Sequence, residues 1–284
     1  MNYIGSKQKL SDFLKSHIDD IAKPSKDTVF CDIFAGTGAV GRIFKKDVKK
    51  VIANDREAYS FTLCRNYIGN HEAKDRTDIL GELNGLGGVQ GFVFEHYSFD
   101  GVSGRQYFSS ENGQKIDAIR TEIDKWLRCK KINEDDYYFL LASLLEAADK
   151  VANTASVYGA YLKHLKKSAE KPLGLKPALY DINDNSHEVY NEDANELIKK
   201  IEGDILYLDP PYNAREYGAN YHLLNTIALY DDFLPKGKTG LRDYERSRYC
   251  KKNEAKVAFE ELIKNAKFKY IFLSLQNESG VSRS

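Results

Sequence analysis

Short apolar runs and amphipathic stripes follow one another along this chain. Runs with the length and composition of buried β-strands lie at 28–34, 51–54, 188–191, 204–208 and 270–273. Apolar residues at helical spacing lie between and around them, at about 10–21, 194–201 and 254–265. Strands that alternate with helices in this way are typical of an α/β protein with a parallel sheet.

The segment from about residue 76 to 180 has a different texture. Seven glycines within 81–104 predict loops or irregular β structure there. Helical patterns follow at about 114–128 and 134–150, so the sequence predicts a mainly helical insert. The insert ends in a basic stretch near two tyrosines: Tyr158, Tyr161, Lys163, His164, Lys166, Lys167, Lys171 and Lys176. A lysine run is commonly a solvated surface, whereas interleaved aromatic residues favour a surface that follows nucleic-acid phosphates.

The composition is that of a globular protein without a charge bias. Hydrophobic residues make up 42% and charged residues 30%, and 42 basic residues balance 42 acidic ones. A nucleic-acid partner would therefore need a local basic surface. The cysteines, at positions 31, 64, 129 and 250, form no C-x-x-C zinc pattern and are typical of thiols in a reducing compartment. No signal-peptide or transmembrane run is apparent, so we expect a cytoplasmic protein without a metal site or a membrane partner.

The strand at 204–208 ends at Asp209-Pro210-Pro211-Tyr212, and this junction carries the most specific chemistry in the sequence. Two prolines stop the strand and hold the residues before them extended. Open α/β sheets bind ligands at the carboxyl ends of their strands. The Asp209 carboxylate and the Pro210 carbonyl can each accept an N–H bond from an exocyclic amino group, while Tyr212 can stack on the ring. This set suits adenine, although a bare Asp-Pro-Pro is as readily a plain strand-ending turn.

A glycine-rich turn follows the first strand. Gly36, Gly38 and Gly41 match G-x-G-x-x-G between a strand and a helix, where glycines permit a tight turn and the close approach of a ligand. Asp55 ends the second strand, where a carboxylate can accept hydrogen bonds from ribose hydroxyls or cap the next helix. The pair indicates an adenosine-binding half-site that fits a dinucleotide or S-adenosylmethionine equally well.

Several other polar residues leave two interpretations open. Asp193 follows a strand and can bond an adenine amino group or cap a helix. Tyr3, Gly5 and Lys7 precede the first helical stripe, where a capped terminal helix with a solvated lysine is the simpler interpretation. No acidic or nucleophilic residue lies at a spacing from His222 that would indicate a catalytic pair, so we interpret His222 as structural or substrate-positioning.

The order of four motifs resembles that of the N6-adenine DNA methyltransferases of bacterial restriction–modification systems. The motifs are Tyr3–Lys7, Phe34-Ala35-Gly36-Thr37-Gly38, the large insert, and Asp209-Pro210-Pro211-Tyr212. The strings 2–10, 145–163 and 209–224 also look like members of that family. The resemblance implies a doubly wound, Rossmann-like methyltransferase core in 1–75 and 181–284, with 76–180 as a target-recognition insert.

The same resemblance implies a chemistry and a set of site residues. It implies methyl transfer from S-adenosylmethionine to adenine in double-stranded DNA, and a cognate restriction endonuclease as a companion. By position, the methionine end of the cofactor would be lined by Tyr3, Gly5 and Lys7, and the cofactor loop would be formed by Phe34, Gly36 and Gly38. Asp55 would hold the ribose and Asp193 the adenine ring of the cofactor. The flipped target base would be handled by Asp209, Pro210 and Tyr212.

Two departures from the family pattern keep alternatives open. Position 225 is Asn where relatives often carry Glu. The chain ends soon after the strand at 270–273, so we expect the closing β-hairpin of the sheet to be missing. A truncated, non-catalytic DNA-binding remnant is therefore one alternative. A nicotinamide-dependent oxidoreductase is another, but it has no use for Asp-Pro-Pro-Tyr.

Overall fold

Five strands form one parallel sheet in the computed structural model, which describes residues 10–211 and 216–274. The strands are β1 Val29–Asp32, β2 Lys50–Asn54, β3 Glu188–Tyr190, β4 Glu202–Leu208 and β5 Lys267–Leu273. Their order is β3-β2-β1-β4-β5, and each neighbouring pair is parallel. The predicted parallel α/β sheet is confirmed.

The helices of the described residues lie on both faces of this sheet and in the region between β2 and β3. They are α1 Ser11–Ala22, α2 Ala39–Phe44, α3 Ala58–Cys64, α4 Thr77–Gly85, α5 Phe92–Tyr97, α6 Ser110–Arg128, α7 Glu134–Val151, α8 Ala194–Leu197, α9 Tyr217–Asn220, α10 His222–Leu229 and α11 Ala255–Asn265. A π-helical turn, Arg65–Gly69, extends α3, and a 3-10 turn, Arg248–Cys250, precedes α11. Within the described residues, no helix is long and apolar enough to cross a membrane.

Successive residues of the central strands point to opposite faces, as the two-residue period of a strand requires. On one face, Phe30 and Ile205 pack with Ile18 of α1 and Phe44 of α2. On the other face, strand residues pack with α8 and α11: Cys31, Ile52 and Leu206 contact Leu197 and Leu262. Helices on both faces of a parallel sheet make the fold doubly wound.

The region between α3 and β3 is built on helices α4 to α7, which share one apolar core with α3 and α10. This core includes Trp126, Leu144 and Leu224. The long helices begin at side-chain caps, because Ser109 accepts from Asn112 N and Asn133 forms a capping box with Asp136. The division of the chain at 75/76 and 180/181 stays a prediction.

The expectation of loops or irregular β structure over 81–104 is wrong for residues 81–85 and 92–97, and it is confirmed for residues 86–91 and 98–104. Residues 77–85 form α4 and residues 92–97 form α5. Leu80 and Leu83 are buried in the shared core, and their burial outweighs the low helix propensity of Gly81. Gly91 stands at the N-cap of α5 rather than in a strand.

The strand order reverses between β1 and β4, and this reversal positions the site. From β1 the chain proceeds outward to β2 and β3, whereas β4 lies on the other side of β1. Asp32, the last residue of β1, pairs in register with Tyr207 near the end of β4. The segments that leave these two strands therefore diverge and open a crevice between them. Residues 275–284, where the predicted absence of a β-hairpin applies, lie outside the described residues.

Candidate active site

A pocket occupies the crevice between the ends of β1 and β4. Its empty space, counted out to the open mouth, is about 1040 Å³. The lining includes residues that the sequence predicts for the site from separate segments: Phe34, Gly36, Asp55, Asp193 and Asp209. The glycine turn and the acid of Asp-Pro-Pro thus face the same space, as a site for two reacting molecules requires.

Other predicted site residues are not brought into this lining. Gly38 and Pro210 are absent from it, whereas Pro211 is present. Gly38 instead precedes α2 with φ +76°, and a Cβ there would lie 3.2 Å from Cys64 Sγ. Its requirement for glycine is therefore conformational and steric. Tyr3, Gly5, Lys7 and Tyr212 lie outside the described residues.

Asp55 joins the glycine turn to the end of β2. Its Oδ2 accepts a hydrogen bond from Gly36 N at 2.8 Å, and its Oδ1 accepts one from Glu57 N at 2.9 Å. Gly36 has φ +54°, a left-handed conformation that glycine adopts without cost and that directs its N–H to this carboxylate. Burial raises the pKa of Asp55 to about 7, although both N–H bonds act in the opposite direction.

Asp32 is a pocket residue that the sequence reasoning missed. It is the last residue of β1, it is 1% exposed, and it lines the pocket. Within the described part of the chain, its Oδ1 has no hydrogen-bond partner. Burial and then the charges of Asp209 and Asp55 hold the pKa of Asp32 well above its usual range. The sequence signal that could have identified it is an acid at the end of the strand that enters the glycine turn.

Acidic side chains dominate the pocket lining. The seven acids are Asp32, Asp55, Glu57, Asp193, Asp209, Glu216 and Glu245, against two arginines, Arg56 and Arg248. Both arginines are engaged, because Arg56 pairs with Glu245 and Arg248 pairs with Glu261. Carboxyl groups outnumber arginines seven to two, so in its ionised form the lining favours a cationic ligand over an anionic one.

Two aromatic rings form an apolar side of the pocket. Phe34 and Tyr249 meet edge to face, with ring centroids 5.0 Å apart. The hydroxyl of Tyr249 donates to Asn195 Oδ1 at 2.7 Å, which fixes the ring against α8. Asp193 caps α8 by accepting from Asn195 N at 2.9 Å. The capping interpretation of Asp193 therefore holds, and the same residue also faces the pocket.

The segment after Asp-Pro-Pro is tied to the remaining wall of the pocket. Glu216 is 5% exposed and accepts from Arg246 Nε at 2.8 Å and from Ser247 N at 2.7 Å. These bonds hold the 244–250 segment beside α9. The side chains of residues 216, 217, 245, 247, 248 and 249 consequently share one wall.

His222 and Asn225 lie in α10, behind this wall. His222 is fully buried, and its Nε2 lies 3.1 Å from the carbonyl oxygen of Tyr158, so its place is structural. Asn225 donates to Glu57 Oε2 and accepts from Tyr59 N at 3.1 Å. Its amide thus provides hydrogen-bond partners both for a backbone N–H in the first turn of α3 and for the buried carboxylate of Glu57.

Comparison with known proteins places the whole chain in one family. The model of the D12 class N6 adenine-specific DNA methyltransferases matches residues 3–283. The chain is 62% identical over 284 residues to the type II methyltransferase M.NlaIII of Neisseria lactamica, covering 99% of this chain and 85% of that protein.

More distant relatives agree. The chain is 41% identical to the type II methyltransferase M.FokI of Planomicrobium okeanokoites, covering 98% of this chain and 45% of that protein. It is 37% identical to the type II methyltransferase M.CviAII of Paramecium bursaria Chlorella virus 1, covering 100% of this chain and 85% of that protein. No solved structure is significantly similar to the chain. The protein belongs to the D12 class of N6 adenine-specific DNA methyltransferases.

Proposed function

We propose that this enzyme transfers a methyl group from S-adenosylmethionine to N6 of an adenine flipped out of double-stranded DNA. Family membership gives the adenine-N6 specificity and the DNA substrate. The observation that carries the rest is the single pocket that joins the glycine turn to Asp209. A donor bound at the turn and a base held by Asp209 would face each other across that pocket.

The charge of the pocket supports S-adenosylmethionine as the donor. A sulfonium and an ammonium group give that molecule a cationic end, which suits the excess of carboxylates. A nicotinamide dinucleotide would place its pyrophosphate anion beside the same glycine turn, close to Asp32 and Asp55. Neither lining arginine is unpaired to balance that charge. The acidic lining therefore argues against the oxidoreductase alternative.

We assign the donor-binding roles by position in the pocket. Asp55 would accept from the ribose hydroxyls, and Asp193 would face the adenine ring of the donor, beside the Phe34 and Tyr249 rings. Asp32, whose Oδ1 makes no hydrogen bond within the described residues, would face the cationic end, and a bound cation would favour loss of its proton. Tyr3, Gly5 and Lys7 are proposed for the methionine end from their place in the motif order.

The chemistry requires only acceptors at the target amino group. Its nitrogen lone pair is delocalised into the ring, and acceptors that favour a tetrahedral nitrogen free that pair to attack the methyl carbon. The Asp209 carboxylate and the Pro210 carbonyl are the proposed acceptors, with Tyr212 stacked on the base. As the N–C bond forms, the S–C bond breaks and the sulfur keeps its electron pair. N6 then releases one proton, and no covalent enzyme intermediate forms.

We also propose the DNA-recognition region and the biological setting. Residues 76–180 would read the target sequence, because they form the helical region beside the pocket wall and end in the basic stretch. Several relatives are named type II methyltransferases, so a cognate restriction endonuclease is the proposed companion.

The test is labelled methyl transfer to plasmid DNA by wild-type protein and by Asp209→Ala. Wild type should label adenine, and the variant should bind S-adenosylmethionine with ordinary affinity and label nothing. Near-normal turnover by the variant would remove the mechanism. DNA retained on a filter by wild type with no label incorporated would favour the non-catalytic remnant. Tighter binding of NAD than of S-adenosylmethionine would revive the oxidoreductase alternative.

A further inference from the structure

The loop 159–167 follows Tyr158, which is bonded to helix α9 of the pocket wall, and hydrogen bonds to the buried Asn153 hold the loop in shape. We propose that Leu162, near the tip of this loop, enters the DNA helix and fills the space that the flipped adenine leaves. The inference rests on the proposed function, because it requires a target base that leaves a duplex.

Asn153 fixes the shape of the loop. It is completely buried, and its Nδ2 donates to the carbonyl oxygens of Gln106 and Leu162 at 2.9 and 3.0 Å. Its Oδ1 accepts from Lys166 N at 3.0 Å, and its own carbonyl accepts from Leu162 N at 3.0 Å. Bonds to both sides of the tip hold Leu162 in place before any DNA binds, which lowers the entropy lost on binding.

Tyr158 attaches the root of the loop to the segment that follows Asp-Pro-Pro. Its N–H donates to Asn220 O, the last residue of α9, at 2.8 Å. Its carbonyl accepts from the Tyr107 hydroxyl at 2.7 Å and lies 3.1 Å from His222 Nε2. The first residue of α9, Tyr217, lines the pocket. Leu162 is four residues beyond Tyr158, so at most about 14 Å of chain separates the tip from the residue that is bonded to α9.

The side chains at the tip have the chemistry of a wedge between phosphate contacts. Leu162 is apolar and 37% exposed. The ring of Tyr161 packs edge to face against the buried ring of Tyr107, with centroids 5.1 Å apart, and this contact helps to fix the tip. The neighbouring cations Lys163, His164 and Lys167 are exposed, and they form no hydrogen bond or ion pair with any other described residue. Cations without protein partners are available to phosphates.

A side chain inserted in this way would lower the free-energy cost of keeping the base outside the helix. A flipped base leaves a gap in the stack, and the duplex regains stacking energy when the base returns. An apolar side chain inserted between base steps occupies that gap and opposes the return. Leu162 is suited to this role because its position is fixed and its surroundings are cationic.

The experiment compares Leu162→Ala with two controls, Leu162→Met and Leu234→Ala. Leu234 is 80% exposed and lies outside both the predicted insert and the pocket lining. Each protein is tested in single-turnover methylation on two duplexes that carry the target sequence. In one the target adenine faces thymine, and in the other it faces an abasic site and is already weakly held. A third duplex with 2-aminopurine at the target position reports flipping by fluorescence.

We expect Leu162→Ala to slow methylation of the paired duplex at least about tenfold and to lose most of the 2-aminopurine signal. On the abasic-opposed duplex it should match wild type, and both controls should match wild type on both duplexes. Equal slowing on the two duplexes would overturn the wedge and assign Leu162 to loop structure. Unchanged rates on both would overturn it as well. Failure of wild type to methylate either duplex would instead refute the proposed function, and the wedge with it.

Discussion

The affinity for S-adenosylmethionine should fall as the pH is lowered below about 7. Asp55 is the proposed partner of the ribose hydroxyls, and it accepts hydrogen bonds only on oxygens that carry no proton. Burial raises its pKa to about 7 in the ligand-free protein. A donor that requires the carboxylate must displace that proton, so binding and protonation compete.

The magnitude follows from the pKa. If binding requires the ionised form, each pH unit below 7 lowers the affinity about tenfold, so pH 5 should weaken binding roughly a hundredfold relative to a plateau above 7. Between pH 5 and 7 the α-amino group of the ligand stays largely protonated, because such groups ordinarily titrate at about 7.7.

Protein stability should respond with the opposite sign. The folded-state pKa of Asp55 lies above the ordinary value of 3.8, so between these two pH values the folded protein binds more protons than the unfolded chain. Stability of the ligand-free enzyme from this group is present at low pH and is lost as the pH rises through about 7. Weaker binding at pH 5 therefore does not reflect unfolding at this site.

Isothermal titration calorimetry between pH 5 and 8 measures the effect directly. Wild type should show an inflection near pH 7 and proton release on binding. Asp55→Asn keeps the shape but cannot ionise, so its affinity should be lower and should lack that inflection. An unchanged inflection in the variant would refute the assignment of the titrating group to Asp55, and a flat wild-type profile would refute the competition itself.

Three further predictions concern stability, and each is measured by the midpoint of urea unfolding. Gly38→Ala forces an alanine into φ +76° and should lower the free energy of unfolding by about 1–2 kcal/mol. Gly81→Ala lies inside α4 with open space around it and should raise the free energy of unfolding by up to about 1 kcal/mol. Equal effects of the two substitutions would contradict the conformational argument. Asn153→Ala leaves buried carbonyl groups without donors and should cost about 3 kcal/mol; a change below about 0.5 would show that the loop is held by other contacts. Asn225→Leu removes the donor to Glu57 and should cost about 2 kcal/mol, while Asn225→Gln should recover part of it.

Local sequence was sufficient for the strands and for the turns that follow them. Each predicted strand is present, because buried parallel strands are continuous apolar runs that end at recognisable breakers. β4 ends at Leu208, directly before Asp209 and the prolines. The glycine turn was equally local, since Gly36 and Gly38 both adopt left-handed conformations that glycine favours.

Features that depend on distant partners were not predictable in this way. The helices over 77–85 and 92–97 form because their apolar residues join a core that α6, α7 and α10 complete. The number of glycines in the segment carries no information about these distant partners. Asp32 and Tyr249 belong to the pocket through the meeting of remote segments. The role of the Asn225 amide, a hydrogen bond to Glu57, depends on a residue that precedes it by 168 positions.

The parallel pairing of β1 with β4 also governs how the polypeptide emerges from the ribosome. Phe30 pairs with Ile205, so the centre of the sheet awaits a partner 175 residues downstream. At ordinary translation speeds this interval lasts roughly 10 to 35 s. During that time the apolar residues of β1 and β2 have no completed sheet to enter, and their edges are open to pairing with other nascent chains. Growth temperature and chaperone supply should therefore affect the yield of soluble protein more strongly than any substitution in the pocket lining.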